Sequence, residues 1–329
     1  RDRHKDCQGC EFQATPEEEK LGKLSGFKEC WKEQAKFRDE DFEKPSVLDI
    51  WNFGGKQKLI NAGIFHIDEV KPENIGNEAE INKRKLDNKS RQWLQVQRTA
   101  GKDPEPYLDI QGIKKEMDKW VSPLHMIDFE TSTVAVPFYR GRRPYEQTAF
   151  QFSHHQINED GSIEHKGQYL NAEPGVFPNF EFVRMLRKEL GNDQGSVFRY
   201  ADHENNVLNQ IKAQLQDSNV TEVPDKQELI DFILSITHSK SHKGERDMID
   251  LLDLVKAYYW HPMMGGSNSL KVVLPAVLNS SDHIKEKYSQ PIYGADSEVR
   301  SLNFPAGWTW IKLNEKGKVI SPYKLLPPL

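Results

Sequence analysis

The sequence predicts an α/β protein in which a run of antiparallel strands is followed by alternating helix and strand. Three observations predict it. Beyond Ser122-Pro123 the chain turns β-rich, over His125 to Arg140, Tyr145 to Ile157 and Ser162 to Leu170. These stretches are separated by Gly141-Arg142-Arg143-Pro144 and by Asn158-Glu159-Asp160-Gly161, both strong turn signals. Helical patterns at Phe180 to Leu190 and His203 to Leu215 then flank a short apolar segment, Ser196 to Tyr200, which reads as a buried strand. Strand hairpins followed by helix, strand and helix give a mixed sheet covered by helices.

The elements follow in order. Residues 1–45 are charged and carry all three cysteines, and read as a small N-terminal helical, cysteine-bearing region. Residues 46–121 read as helical. Val47-Leu48-Asp49-Ile50-Trp51 is followed by a break at Gly54-Gly55, then by Leu59-Ile60, a helix over Glu80 to Gln97 and another over Ile113 to Trp120. Residues 122–329 form the α/β part. There Asp202 is placed to cap the helix that starts at His203, and Asp225-Lys226-Gln227-Glu228 resembles a capping box opening a helix through Ile236. A last helix is expected over Met248 to Tyr259. No internal repeat or low-complexity tract interrupts the pattern.

The 329 residues are 36% hydrophobic and 29% charged, with a net charge of -5. Mean hydropathy is -0.74. These values suit a soluble, cytoplasmic chain with enough apolar residues for a core. The apolar run Val272 to Leu278 is far too short to span a bilayer, and no signal peptide is visible, so no membrane partner is expected. The charge does not advertise nucleic-acid binding, although Arg140-Gly141-Arg142-Arg143 and Lys83-Arg84-Lys85 are local basic clusters. Cysteine is confined to the first 30 residues and its number, three, is odd. A chain without cysteine beyond that point suits a reducing cytosol.

The chemistry is concentrated in His125-Met126-Ile127-Asp128-Phe129-Glu130-Thr131. Side chains alternate along a strand, so Asp128 and Glu130 share one face while Ile127 and Phe129 enter a core. Two neighbouring carboxylates repel unless a cation lies between them, and Mg²⁺ or Mn²⁺ favours such oxygen ligands. Metal-dependent phosphodiester cleavage draws about four carboxylates onto two cations roughly 3.5–4 Å apart; one cation lowers the pKa of the attacking water. A third acid is expected at the junction Phe198 to Leu208. Glu204, in the first turn of the helix, is preferred over Asp202, whose capping role accounts for it. The fourth is sought in Arg246 to Leu254, where Asp250 and Asp253 lie one helical turn apart. Cys7-x-x-Cys10 and Cys30 are soft ligands suited to Zn²⁺ or to an iron–sulfur cluster, with His4 able to complete a zinc site; plain thiols are the bland alternative.

Asp128-Phe129-Glu130-Thr131 resembles the first motif of the DnaQ-like (DEDD) exonuclease superfamily, of RNase H fold. Tyr200-x-x-x-Glu204-x-x-x-Leu208 resembles its second motif, with Glu where Asp is usual. Ile249-Asp250-Leu251, Gly266 to Pro275 and the terminal Ser321 to Pro328 resemble a narrower bacterial group, domain of unknown function 2779. In that group a RecB-like, cysteine-cluster nuclease module precedes a DnaQ-like one. The resemblance covers residues 122–329 well and the first 45 loosely. It implies an RNase H-like mixed sheet flanked by helices. Residues 1–45 would be the cysteine-bearing tail of the RecB-like module, residues 46–121 a helical linker, and residues 122–329 an exonuclease domain truncated at its C-terminus. A final acidic motif would follow Leu329. The implied activity is metal-dependent 3′→5′ exonuclease action on DNA or RNA, with Asp128, Glu130, Glu204 and Asp250 on Mg²⁺ or Mn²⁺. Cys7, Cys10 and Cys30 would hold an iron–sulfur cluster, and Arg142, Arg143 and Lys271 would meet the nucleic acid. The competing expectation is an inactive nucleic-acid-binding or scaffolding module of the same fold. No protein partner is legible.

Overall fold

The computed structural model describes residues 5–218, 222–315 and 317–326. His4 lies outside the described residues, as do Pro327 and Pro328. In chain order the strands are β1 (Tyr107–Leu108), β2 (Leu124–Ser132), β3 (Thr148–Ile157), β4 (Ile163–Leu170), β5 (Val197–Arg199), β6 (Ile249–Asp250), β7 (Tyr259–Trp260), β8 (Tyr293–Gly294) and β9 (Val299–Arg300). The chain divides into two compact units, Arg1–Ile113 with Leu254–Ser280, and Lys114–Asp253 with Ser281–Leu329.

The second unit is built on a mixed seven-stranded sheet of order β6-β5-β2-β3-β4-β9-β8. The antiparallel meander β2-β3-β4 forms its middle, with Asp128 opposite Ser153 and Glu130 opposite Gln151. β5 joins β2 in parallel and β6 joins β5 in parallel. Alternation along β2 sends Ile127 and Phe129 into the core, where the Phe129 ring lies 4.8 Å from Phe182. Phe182 belongs to the helix Asn179–Leu190, whose apolar stripe of Phe182, Val183, Leu186 and Leu190 is wholly buried. The helices His203–Asp217 and Lys226–Ile236 complete this core through Leu208, Ile211 and Ile233.

The first unit packs short helices around Trp31, Val47, Ile50, Ile60 and Val96. Residues 254–280 return to it: β7 pairs antiparallel with β1, and the Leu86 N–H donates to the Ala257 carbonyl at 2.9 Å. Among the described residues no helix is long and apolar enough to cross a membrane.

Several local expectations are corrected. The first strand stops at Ser132 rather than running to Arg140, and residues 133–147 form a loop. Val134-Ala135-Val136 has strand-like composition, yet Val136 is 78% exposed and Pro137 has no N–H for a ladder. The segment from Met248 opens as strand β6, and the helix begins only at Leu251. Asp250 therefore precedes the helix and shares no helical face with Asp253. Asp202 occupies the N-cap position but makes no side-chain cap; its carboxylate meets Arg199 at 3.0 Å. Asp225 likewise does not cap, because Arg184 holds both its oxygens at 2.7 Å. A bidentate guanidinium pair outcompetes a single cap bond.

Candidate active site

Three parallel strands, β2, β5 and β6, end at one edge of the sheet, the usual place for ligands in such sheets. Their registers align His125 with Val197, Phe198 with Ile249 and Arg199 with Asp250. Asp128, Arg199 and Asp250 thus collect at these carboxyl ends, and Glu204 enters from the first turn of the helix that follows β5.

Asp128 and Glu130 point to the face opposite Ile127 and Phe129, and both keep access to solvent. The protein packed on the inner side of Asp128 still raises its pKa by desolvation, against an opposing pull from His203. Glu204 is 4% exposed, and its Oε2 has no hydrogen-bond partner among the described residues. Burial drives its pKa up to about 7; the negative charges of Asp128 and Asp250 add to the rise, while its own backbone N–H and Arg199 oppose it.

The turn that delivers Glu204 is strained. Ala201 has φ +68, in the left-handed region, between β5 and the helix. Asp250 holds this turn: its Oδ1 accepts from the Ala201 N–H at 2.9 Å and from the Leu252 N–H at 2.8 Å. Its Oδ2 receives the Arg199 guanidinium at 3.1 Å. Arg199 is buried, also donates to Asp202 and to the Ala201 carbonyl, and leaves Nε without a partner among the described residues. Asp250 thus accepts three hydrogen bonds in shaping the turn. Among the described residues no three His, Cys, Asp or Glu side chains stand close enough together to hold one ion as placed.

Three neighbours were not singled out from sequence. His203 lies beside Asp128 and reaches Thr131 Oγ1 through Nε2 at 3.3 Å. Tyr323, in the turn Pro322–Leu325, feels the charge of Asp128, and its pKa is raised first by burial and then by that charge. Arg199 is the buried cation. Only its apolar setting in Val197-Phe198-Arg199 hinted at that; nothing local marks the other two.

Residues 125–269 match a family model described as a domain of unknown function (DUF2779). The match begins on β2 and contains Asp128, Glu130, Glu204 and Asp250. No curated protein and no solved structure matches the chain.

The remaining predicted residues are dispersed. Arg142 lies with its guanidinium 3.5 Å from the centre of the Phe177 ring and pairs with Glu146 at 3.4 Å. Arg143 is open to solvent. Lys271 belongs to the first unit, in the helix Leu270–Ser280. Cys7, Cys10 and Cys30 are free thiols, half-buried, and line one cavity of about 470 Å³ with Phe12, Phe27 and Trp31.

Proposed function

We propose that the second unit is a metal-dependent nuclease of DnaQ-like type, cleaving phosphodiester bonds of DNA or RNA from the 3′ end. The observation that carries this reading is Glu204. A buried carboxylate with an unpartnered oxygen, facing two further carboxylates, is costly without a cation. The donor set is all oxygen, which suits Mg²⁺ or Mn²⁺. Asp128, Glu130 and Glu204 would hold the ion. When bound, it supplies Lewis-acid stabilisation of charge on the phosphoryl oxygens. The chain's own residues set the rest. Asp250 and Arg199 fix the Ala201 turn and so the position of Glu204. His203 sets an imidazole ring next to Asp128.

The decisive experiment is digestion of end-labelled single-stranded DNA and RNA with Mn²⁺ or with EDTA. Laddered, Mn²⁺-dependent products shortened from the 3′ end are expected, and Asp128→Asn abolishes them. Cleavage by Asp128→Asn at the wild-type rate overturns the assignment. A second reading, a nucleic-acid-binding module without chemistry, is favoured by the three hydrogen bonds that Asp250 already accepts and the lack of a three-ligand cluster among the described residues. Binding without cleavage would select it.

We also propose that Cys7, Cys10 and Cys30 hold an iron–sulfur cluster or, as the alternative, Zn²⁺. Their shared cavity supports this, though as placed they form no three-ligand group. Iron, sulfide and zinc analysis of anaerobically purified protein tests it. Metal retained equally by a Cys7→Ser, Cys10→Ser, Cys30→Ser variant would remove the basis for the site.

A further inference from the structure

The sheet edge that carries the carboxylates also carries a pocket of about 440 Å³. Ser132, two residues beyond Glu130, forms one wall at the end of β2. Phe138 and Tyr139 come from the β2–β3 loop, Phe150 from β3, and Asn171 and Glu173 from the segment after β4. Phe150 is the residue that the register skips where β3 bulges opposite Glu130 and Thr131. The bulge places its ring at the pocket instead of leaving it in ladder register.

The aromatic wall is braced from behind. Tyr139 packs edge-on against Phe177 at 5.5 Å, and Arg142 lies over Phe177 while pairing with Glu146. In front, Phe138 is 68% exposed, and Tyr145 on the same loop is 70% exposed. A rigid wall behind an exposed ring makes a stacking platform rather than a core. Two cations belong to the same loop: Arg140, which follows Tyr139 in sequence, is exposed, and Arg143 is exposed apart from a long ion pair, 3.8 Å, to the exposed Asp217. Such a surface pair is weak and easily exchanged for another anion. The one acid of the wall, Glu173, is exposed and repels a phosphate there, so the charged part of a ligand belongs on the arginine side. An aromatic platform next to cations is the chemistry that holds single-stranded nucleic acid.

We propose that this pocket receives an unpaired base of a DNA or RNA single strand, stacked on Phe138, with Arg140 and Arg143 against the adjoining phosphates. The inference rests on the nuclease reading of the neighbouring carboxylates and names its substrate as single-stranded. A base inside a duplex is stacked and paired and cannot enter without being extruded.

The test is fluorescence anisotropy of labelled single-stranded DNA, single-stranded RNA and duplex DNA, titrated with the full chain in EDTA so that nothing is cut. Single strands are expected to bind more tightly than duplex. Phe138→Ala should weaken single-strand binding by about five-fold or more, and Phe138→Trp should restore it. The double variant Arg140→Ala, Arg143→Ala should flatten the salt dependence. Because Phe138 and both arginines are exposed, these variants leave the core intact. Equal binding by Phe138→Ala and wild type, a preference for duplex, or no binding by the wild type each overturns the pocket. If the wild type digests single strands while Phe138→Ala binds normally, the pocket fails and the nuclease reading stands. If Phe138→Ala loses binding and the wild type cuts nothing with Mn²⁺, the nuclease reading fails and the pocket stands.

Discussion

Burial gives Glu204 a protonation equilibrium near neutrality, with consequences for stability as well as for cation binding. Its folded pKa, about 7, lies above the ordinary carboxyl value of 4.5. Between those values the folded state holds a proton that the unfolded state has released. The resulting stabilisation is complete below the lower pKa and is lost as pH rises through the upper one. For a side chain this buried, the loss is on the order of 3 kcal/mol. Urea unfolding in EDTA between about pH 5 and pH 8 should show wild type losing stability relative to Glu204→Gln, whose neutral amide does not titrate. Parallel curves for the two proteins would mean that Glu204 is hydrated and not poised. On the proposed nuclease reading a divalent cation would bind the ionised carboxylate and reverse the sign: added Mn²⁺ should then stabilise wild type most at the alkaline end. Asp250 makes the contrast clear. It is as acidic in sequence and just as close to the site, but its oxygens already serve two backbone N–H groups and a guanidinium. Equal residue types at one site divide between a structural clamp and a carboxylate left with an open oxygen.

Among the elements, those written in local periodicity were legible. The alternation through Ile127, Asp128, Phe129 and Glu130 fixes both the core face and the acid face of β2, and the structure places these residues so. Turn residues gave the meander, and the 3.6-residue spacing of Phe182, Val183, Leu186 and Leu190 gave the helix behind it. What failed was competition between local and distant partners. Asp225 and Asp202 have cap chemistry, yet Arg184 and Arg199 take them, and nothing nearby in sequence announces those arginines. The loop 133–147 failed for a related reason: strand propensity is expressed only where a neighbouring strand and a core exist, and Val136 has neither. Asn179 shows the same dependence on distant partners. Wholly buried at the start of its helix, it accepts from the Ala149 N–H and donates to the Gln147 carbonyl and to Gln214. It thereby pins the beginning of β3 to two helices, and so fixes where the β2–β3 loop must end. At the candidate site, the shared face of Asp128 and Glu130 and the place of Glu204 in the first turn of its helix were readable locally, whereas the nearness of His203 and Tyr323 to Asp128 depended on tertiary placement.

At the scale of the whole molecule, the first unit is discontinuous in sequence, and a single arginine explains how its later piece is held. Arg91, in the helix Asn88–Ala100, is 1% exposed. Its guanidinium donates to the carbonyls of Val255 and Lys256 at 3.1 Å and of Tyr259 at 2.6 Å, and also to the side-chain oxygen of Asn268. Val255 and Lys256 are in the last turn of the helix Leu251–Tyr258, whose final carbonyls have no partner within the helix. Arg91 therefore acts as a C-terminal cap supplied from more than 160 residues away. The three carbonyls converge on Nη1 while Nη2 reaches Asn268, so the planar guanidinium serves two separate places, whereas the ammonium of lysine is a point. Arg91→Lys should accordingly lose the Asn268 bond and be less damaging than Arg91→Met, which leaves the carbonyls bare as well. Each buried carbonyl left bare costs about 1–3 kcal/mol, so several together should lower stability by at least about 3 kcal/mol. Limited proteolysis should then cut first within residues 254–280, with the helices Asn179–Leu190 and Lys226–Ile236 protected longer. A methionine variant with wild-type urea midpoint and cleavage pattern would show that the β1–β7 pair and the apolar cluster of Met264, Val273 and Ala276 hold this segment without the cap.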